Sequence, residues 1–278
     1  MKLHFYGADR CVTGSCHCLE INGKKILVDC GLQQGRDELD NRYLAFAPGN
    51  IDILLVTHAH IDHTGRIPLL VKNGFHGRIL TTRLTADLMK IMLLDSAHIQ
   101  ESDAEYENRK GERAGREHVD PLYTEQDALD VFKYVTTCEY KEKVDLCEGV
   151  SAVFTDAGHL LGSASITLEL EENGVHKTIV FSGDIGEQAL ELVKDGTHMF
   201  TFPNLNLVES SEESKMLNMD TTPKVIISAS GMCDAGRIRH HLKHNLWRAN
   251  SAVVFVGFQS PGTLGRRLLD GVEKVKLF

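Results

Sequence analysis

The apolar positions in the first half of the chain fall in short runs separated by turn residues. Residues 16–21 and 24–29 flank Asn22 and Gly23, and an Asn-Gly pair between two strand-like runs predicts a tight hairpin. Residues 51–57 form a compact apolar run that is typical of a buried strand, and a histidine-rich segment follows it directly. The pattern therefore predicts a sheet that presents polar side chains at the end of one buried strand.

Helical patterns interrupt these runs at two places. Residues 84–112 carry apolar side chains at helical spacing before the sequence becomes increasingly charged. Thr124 precedes an acidic first turn, which predicts the start of a second helix that continues to Val135. Three later runs are typical of strands: residues 150–155, 165–171 and 177–182.

The second half of the chain has a different order of elements. A short helix is predicted at 189–193, and a polar stretch follows at 209–222. Residues 225–228 and 252–256 are predicted strands, with a predicted helix at 236–246 between them. A strand, a helix and a strand in this order predict a parallel β-α-β unit.

Composition excludes several classes of protein. The 278 residues are 42% hydrophobic and 25% charged, which is ordinary for a soluble globular protein with a sizeable core. No run approaches the roughly 18 apolar residues that span a bilayer, and the start of the chain does not resemble a signal peptide, so we expect no membrane partner. The seven cysteines are scattered and odd in number, which favours free thiols and a cytoplasmic location over a disulfide framework.

The most informative segment places four potential metal ligands within six residues: His58, His60, Asp62 and His63. Imidazole nitrogens and carboxylate oxygens are the ligands that zinc takes in catalytic sites. Residues two apart on an extended segment point the same way, so His58 and His60 can chelate one ion. The next two ligands lie on the following turn and can face a neighbouring ion. The alternative, histidines exposed by chance at a strand end, does not explain so dense a pattern.

Two later residues share this setting after a strand. His159 lies in a glycine-flanked turn, and Asp184 follows the last strand-like run of the first half. Either residue alone is typical of a solvated turn. Their placement together with the histidine-rich segment makes both of them candidate ligands.

These segments follow one another in the order found in the metallo-β-lactamase superfamily. The shared motifs are Val28-Asp29-Cys30-Gly31, the segment from His58 to His63, Gly158-His159 and Gly183-Asp184. Flanking segments resemble those of the β-CASP branch, a group of RNA-processing nucleases: residues 7–16, 62–68, 158–164, 228–233 and 262–267. The resemblance implies an α/β fold, with an αββα metallo-β-lactamase sandwich at 1–187 and a partial β-CASP α/β domain at 188–278.

The resemblance also implies a role for each ligand. His58, His60 and His159 would hold one zinc ion, Asp62 and His63 a second, and Asp184 would bridge the two. Asp29 would orient the ligand loop through hydrogen bonds. Two ions about 3.5–4 Å apart would share a hydroxide that attacks an RNA phosphodiester, with Asp62, His63 and Asp184 as the catalytic residues.

Two segments of the β-CASP pattern have no counterpart in this sequence. An acidic motif does not follow the bridging aspartate, and a later histidine that ligates the second zinc is not reached. We therefore expect that an internal stretch is missing near 187–189 and that the second zinc site is weakened by one ligand. Arg267 lies where other members place a catalytic histidine, and its high pKa favours a phosphate contact over proton transfer.

A net charge of −9 argues weakly against nucleic-acid binding, yet residues 237–248 carry several cations and no acid. On the residues alone, a solvated helix face is the simpler interpretation; the β-CASP resemblance favours an RNA surface. The single tryptophan, Trp247, can stack a base, although a core role is the simpler prediction. The candidate RNA-contacting residues are Ser228, Ser230, Gly231, Arg237, His240, His241, Lys243 and Arg267.

The leading hypothesis is a zinc-dependent ribonuclease, acting as an endonuclease, a 5′-exonuclease or both, with RNA as its partner. A small ester or thioester metallo-hydrolase and a non-catalytic RNA-binding subunit are the alternatives. A diiron oxygen reductase is disfavoured because those enzymes place a glutamate between the two histidine positions of the motif. The resemblance also raises the expectation of a homodimer.

Overall fold

The computed structural model describes residues 1–8, 12–34, 41–112, 115–186, 206, 208, 210–228, 230–255, 259 and 261–277. Contacts divide these residues into two compact units. The first contains the described residues up to 186 except Gln34, and the second contains Gln34 with those from 206 onward. The predicted helix at 189–193 and the predicted domain boundary after 187 lie outside the described residues.

Six strands form the larger sheet of the first unit and lie in the same order as in the chain: β1 Lys2–Gly7, β2 Cys16–Ile21, β3 Lys24–Val28, β4 Ile53–Leu55, β5 Arg78–Thr82 and β6 Val135–Cys138. The pairs β1–β2 and β2–β3 are antiparallel, and β3 to β6 are parallel. Asn22 and Gly23 join β2 to β3 with φ of 48° and 72°, as a two-residue hairpin turn requires. The predicted hairpin is therefore confirmed.

Helices cover one face of this sheet: α1 Ile61–Thr64, α2 Ile67–Lys72, α3 Arg83–Glu112 and α4 Glu125–Asp130. The long helix predicted at 84–112 is confirmed. The predicted start of the next helix is also confirmed, because the Thr124 hydroxyl accepts from the Asp127 N–H while the Asp127 carboxylate accepts from the Thr124 N–H. Leu70 and Met89 from these helices pack with Leu54 and Ile79 of the sheet in one buried cluster.

Four antiparallel strands form a second sheet: β7 Lys143–Cys147, β8 Val150–Asp156, β9 Ala164–Glu172 and β10 Val175–Phe181, in the order β10-β9-β8-β7. The last three confirm the strands predicted between 150 and 182. Phe154 and Ile166 are fully buried against Val28 and Leu55 of the first sheet. No residue of α1 to α4 belongs to this second cluster, so the part of the unit that the structure describes has three layers, α, β and β.

The described part of the second unit contains three helices: α5 Ser211–Met219, α6 Arg237–Asn245 and α7 Leu264–Leu269. The helix predicted at 236–246 is confirmed by α6. A capping box between Ser210 and Glu213 starts α5 inside a stretch that the sequence pattern showed only as polar. A small apolar cluster around Cys233, Leu242 and Leu264 joins α6 to α7.

The strands predicted at 225–228 and 252–256 are wrong where the structure describes them. Residues 225–228 and 252–255 have no regular secondary structure. Val225, Ile227 and Val254 are 89%, 85% and 80% exposed. Branched apolar residues favour a strand, but a strand also needs a partner backbone, and the described residues provide none here. Among the residues that the structure describes, the predicted parallel β-α-β unit is therefore not formed.

None of the described helices is both long enough and apolar enough to cross a membrane.

Candidate metal centre

The histidine-rich segment follows β4 and is held between the two sheets. The Val56 N–H donates to the Leu80 carbonyl at 3.0 Å, and the Ala164 N–H donates to the Thr57 carbonyl at 2.9 Å. The chain then turns at His60, which is the N-cap residue of α1. His58 and His60 therefore precede the helix, whereas Asp62 and His63 lie within it.

Four of the six predicted ligands converge: His58, His60, His159 and Asp184. One potential ligand atom from each lies within 4.8 Å of the other three. The His60 Nδ1 is 3.1 Å from the His58 Nε2 and 3.2 Å from the His159 Nε2. Three imidazole nitrogens and a carboxylate oxygen at this spacing fit a divalent ion of the zinc type, because zinc prefers such ligands in tetrahedral sites.

Asp184 directs its two carboxylate oxygens to different partners. Its Oδ2 is 3.5 Å from the His159 Nε2 and 3.9 Å from the His58 Nε2. Its Oδ1 is 3.3 Å from the Nε2 of His63, a residue outside the four-residue cluster. A carboxylate whose two oxygens face different histidines has the geometry that a ligand bridging two metal ions needs. Asp62 is partly buried in the first turn of α1, also outside that cluster.

Asp29 supports the histidine-rich segment through buried hydrogen bonds. It is 1% exposed, and its carboxylate accepts from the Thr57 N–H at 2.8 Å, the Thr57 hydroxyl at 2.9 Å and the Ser15 hydroxyl at 3.2 Å. The same carboxylate is 2.7 Å from the His63 Nδ1, which leaves the His63 Nε2 to face Asp184. These contacts have the form expected of a group that orients a metal-binding histidine.

Thr57 and Ser15 were not singled out from the sequence. Besides its bonds to Asp29, the Thr57 hydroxyl lies 3.1 Å from the His58 Nδ1. The hydroxyl therefore links Asp29 to His58, a candidate ligand of the cluster. Its position directly before His58 is the one sequence feature that pointed to it.

The backbone at Gly31 packs too closely on α1 for any side chain. A Cβ atom there would lie 1.6 Å from the Asp62 carbonyl oxygen. Two hydrogen bonds fix the same approach, from the Cys30 N–H to the His63 carbonyl at 2.8 Å and from the Leu32 N–H to the Ile61 carbonyl at 2.9 Å. The glycine that ends the Val28-Asp29-Cys30-Gly31 motif is therefore required for the position of the ligand segment.

The other two candidate ligands, His159 and Asp184, stand in turns that are joined by a backbone hydrogen bond. Gly183 has a φ of 55° and places Asp184 at the end of β10. The Gly186 N–H donates to the Ala157 carbonyl at 3.0 Å, which joins the turn after Asp184 to the turn that holds His159. The two ligands are thus positioned by backbone contacts rather than by flexible side chains.

The surroundings lower the pKa of two of the histidines and raise the pKa of a third. Burial lowers the pKa of His60, and burial together with the neighbouring histidines lowers that of His58 to about 2. Both rings are therefore neutral at pH 7, which is the form that binds metal. Burial also lowers the pKa of His63, but the carboxylates of Asp29 and Asp184 outweigh it and raise the value to about 10. The hydrogen bond from His63 in turn lowers the pKa of Asp184.

We expect metal binding by His63 to release one proton between about pH 7 and pH 9, because the metal-free ring is protonated there and a ligand must be neutral. The affinity at this position should rise about tenfold per pH unit and level off above about pH 10, whereas His58 and His60 release no proton in this range. Calorimetry in two buffers of different ionisation enthalpy counts the protons. Equal proton release by the natural chain and by His63→Gln would contradict the assignment.

The predicted RNA-contacting residues of the second unit divide by exposure. His241 is buried, and its Nε2 and Nδ1 lie 3.1 Å from the Ser214 hydroxyl and 2.9 Å from the Asn218 Oδ1. The prediction that His241 contacts RNA does not fit this placement, because both ring nitrogens are engaged by α5. Ser228, Ser230 and Arg237 are partly buried, and Gly231, His240, Lys243 and Arg267 are exposed.

Two family models match the chain between residues 18 and 268. The family model described as the metallo-beta-lactamase superfamily domain matches residues 18–185, and the Beta-Casp domain model matches residues 167–268. A solved B3 metallo-β-lactamase with an active-site glutamic acid is 19% identical and gives a TM-score of 0.41 over 65% of this chain and 59% of that chain. At that TM-score the likeness adds nothing to the family-model matches.

Three curated relatives differ in how much of them the chain covers. Ribonuclease TTHA0252 of Thermus thermophilus is 26% identical over 100% of this chain and 84% of its own length. Transcription termination factor FttA of Methanosarcina mazei is 32% identical over 67% of this chain and 27% of its own length. Probable RNase MJ4 of Methanocaldococcus jannaschii is 29% identical over 75% of this chain and 44% of its own length. The chain thus spans less than half of the last two relatives.

The alignment with the Thermus ribonuclease is longer than this chain. It runs over 383 positions, against 278 residues here, so about 105 positions of the relative have no counterpart. Because the alignment covers the whole chain, these unmatched positions of the relative lie within the aligned region.

Proposed function

The chain belongs to the metallo-β-lactamase superfamily, and from this membership we propose that it is a metal-dependent ribonuclease that hydrolyses RNA phosphodiester bonds. The observation that carries the proposal is the convergence of His58, His60, His159 and Asp184. The choice of RNA is supported by the Beta-Casp match and by relatives named as ribonucleases.

We place one divalent ion on His58, His60 and His159 with Asp184, and a second on His63 and Asp62 with Asp184. Zinc is the proposed metal because imidazole and carboxylate are its usual ligands in hydrolases. When bound, the ions would supply Lewis-acid polarisation of a phosphoryl oxygen and a lowered pKa for a coordinated water.

The side chains around the ions have separate tasks in this proposal. Asp184 sets the separation of the two ligand groups, since its oxygens face His159 and His63 at 3.5 and 3.3 Å. Asp29 keeps the His63 Nε2 directed inward by holding its Nδ1. Asp62 would contribute to the second ion through its partly buried carboxylate in the first turn of α1.

We further propose a cytoplasmic location, which is supported by free thiols that are mostly buried. Assembly as a homodimer remains a prediction from the β-CASP resemblance. The mode of cleavage, from the 5′ end or within the strand, follows from the length of the products in the experiment below.

The experiment offers the metal-loaded protein three substrates: a labelled single-stranded RNA, a nitrophenyl ester and an acyl thioester. We expect RNA cleavage that EDTA abolishes and added zinc restores. Hydrolysis of the ester or thioester without RNA cleavage would overturn the proposal in favour of a small-substrate hydrolase. RNA binding without any hydrolysis would instead indicate a non-catalytic RNA-binding protein.

A further inference from the structure

Trp247 lies just beyond the end of α6 and is 76% exposed. The sequence favoured a core position for this ring, and the structure contradicts that prediction. A tryptophan carries the largest apolar side chain and usually buries it unless the ring serves recognition. The ring therefore needs an explanation outside the core of this unit.

Arg248 is held beside the exposed ring. Its guanidinium carbon is 5.6 Å from the Trp247 ring centroid. Its Nη2 donates to the carbonyl of Asn218 in α5 at 3.1 Å, so the arginine is anchored by the neighbouring helix. An aromatic ring paired with a fixed cation presents a flat face and a positive charge at one place.

Exposed side chains of α6 and the Trp247 ring just beyond it form a stripe that ends at this pair. The stripe consists of His240, Lys243, His244 and Trp247. These positions are spaced i, i+3, i+4 and i+7, which places them on one helical face. His241 and Leu242 are buried on the opposite side. The Leu246 N–H still donates to the Leu242 carbonyl at 2.8 Å, so the helical hydrogen bonding reaches the residue before the tryptophan.

The stripe lies in a positive environment. Residues 237–248 contain no Asp or Glu. Burial and the nearby cations of Lys243 and Arg239 lower the pKa of His240. Of the acids on and just after the neighbouring helix, Glu212 is 2.6 Å from the Lys215 ammonium and Asp220 is paired with Lys224, while the Glu213 carboxylate accepts from the Ser210 N–H at 3.0 Å. An anionic ligand fits this face better than a neutral or cationic one.

We propose that Trp247, backed by Arg248, is a stacking platform for a base of single-stranded RNA whose phosphates follow the stripe from His240 to Lys243 and His244. The inference deepens the proposed function and rests on RNA as the substrate. A flat indole face accepts any base, whereas a duplex has its bases already stacked on one another. The cations of Lys243 in the stripe and of Arg248 beside the ring attract the backbone without reading sequence.

Fluorescence tests the platform directly, because Trp247 is the single tryptophan of the chain. The full chain in EDTA, where RNA is not cleaved, is titrated with a labelled oligoadenylate RNA. We expect saturable quenching of the tryptophan emission. Trp247→Ala should weaken RNA binding about tenfold, and Trp247→Tyr should retain most of the affinity because a smaller ring still stacks.

Two controls separate stacking from charge. Inorganic polyphosphate carries negative charge without bases, so it should compete for the stripe without quenching the ring, and Lys243→Gln should weaken binding of both polymers. Tyr106 is a matched exposed aromatic with Lys110 at 5.4 Å from its ring centroid, on α3 of the other unit. Tyr106→Ala should leave RNA affinity unchanged.

The outcomes distinguish this proposal from the proposed activity. RNA binding and cleavage with unchanged emission, or an unaffected Trp247→Ala variant, would overturn the platform and leave the ribonuclease proposal standing. Emission that changes with protein concentration and not with RNA would also overturn it, in favour of a second copy of the chain on this face. Quenching by RNA without cleavage by the metal-loaded protein would support the platform and refute the ribonuclease.

Discussion

Replacing His60 with alanine is expected to abolish RNA cleavage, with a loss of about 10³-fold or more. The His60 Nδ1 lies 3.1 Å from the His58 Nε2 and 3.2 Å from the His159 Nε2, so this ring joins the ligands from two separate segments. Removing the His60 ring leaves the nitrogens of His58 and His159 without the nitrogen that lies between them. Cleavage rate and bound metal per chain are measured on the same sample.

The fold should survive this change. His60 is partly exposed at the N-cap of α1, and its side chain makes no capping hydrogen bond. Thermal unfolding followed by circular dichroism should therefore be close to that of the natural chain. His98→Ala is the matched control, since His98 is an exposed histidine whose partner is Glu125 at 2.9 Å. Cleavage by His60→Ala within tenfold of the natural chain would refute the assignment.

Replacing Asp29 with alanine is expected to damage both stability and metal binding. The change removes the hydrogen-bond partner of the Thr57 N–H, the Ser15 hydroxyl and the His63 Nδ1. Asp29 is only 1% exposed, so water cannot replace it. Breaking a buried charged pair of this kind costs about 3–5 kcal/mol. Loss of a group that orients a metal ligand lowers metal affinity by roughly 10- to 100-fold. Urea unfolding and metal titration measure the two effects separately.

An asparagine at the same position separates charge from shape. Asp29 has a φ of 60°, a left-handed conformation that asparagine tolerates better than most residues. Asp29→Asn should keep the bond from the Thr57 N–H but remove the charge that raises the pKa of His63. The asparagine variant should therefore be the more stable of the two, and its metal binding at His63 should depend less on pH. An exposed pair supplies the control, because Asp120→Ala removes only a contact with His118. Equal unfolding midpoints for Asp29→Ala and the natural chain would be incompatible with the role given to Asp29.

The proposed ligands His58, His159 and Asp184 could be predicted from the sequence because each follows a strand with a clear pattern. The apolar run before His58 predicts a strand end, and the Asn-Gly hairpin predicts the strands around it. Thr57 and Ser15 were missed because a hydroxyl that supports a buried aspartate has no distinctive spacing. Their roles become visible only when the 2.9 and 3.2 Å contacts to Asp29 are known.

The second unit was harder to predict, for two physical reasons. The branched apolar residues at 225–228 favour a strand, but pairing depends on a partner backbone that local sequence cannot supply. Cationic residues between 237 and 248 do not reveal which face of the helix turns inward. His241 is therefore buried and Trp247 exposed, the reverse of the simplest prediction for each.

The central claim, a metal-dependent ribonuclease site on these ligands, is tested most directly by elemental analysis of bound metal on the same sample that is assayed for RNA cleavage. The natural chain is compared with the double variant Asp62→Ala, His63→Ala. We predict nearly two zinc ions per chain with RNA cleavage in the natural protein, and about one ion without cleavage in the variant. Less than one ion per natural chain after zinc loading, with no cleavage, would contradict the claim.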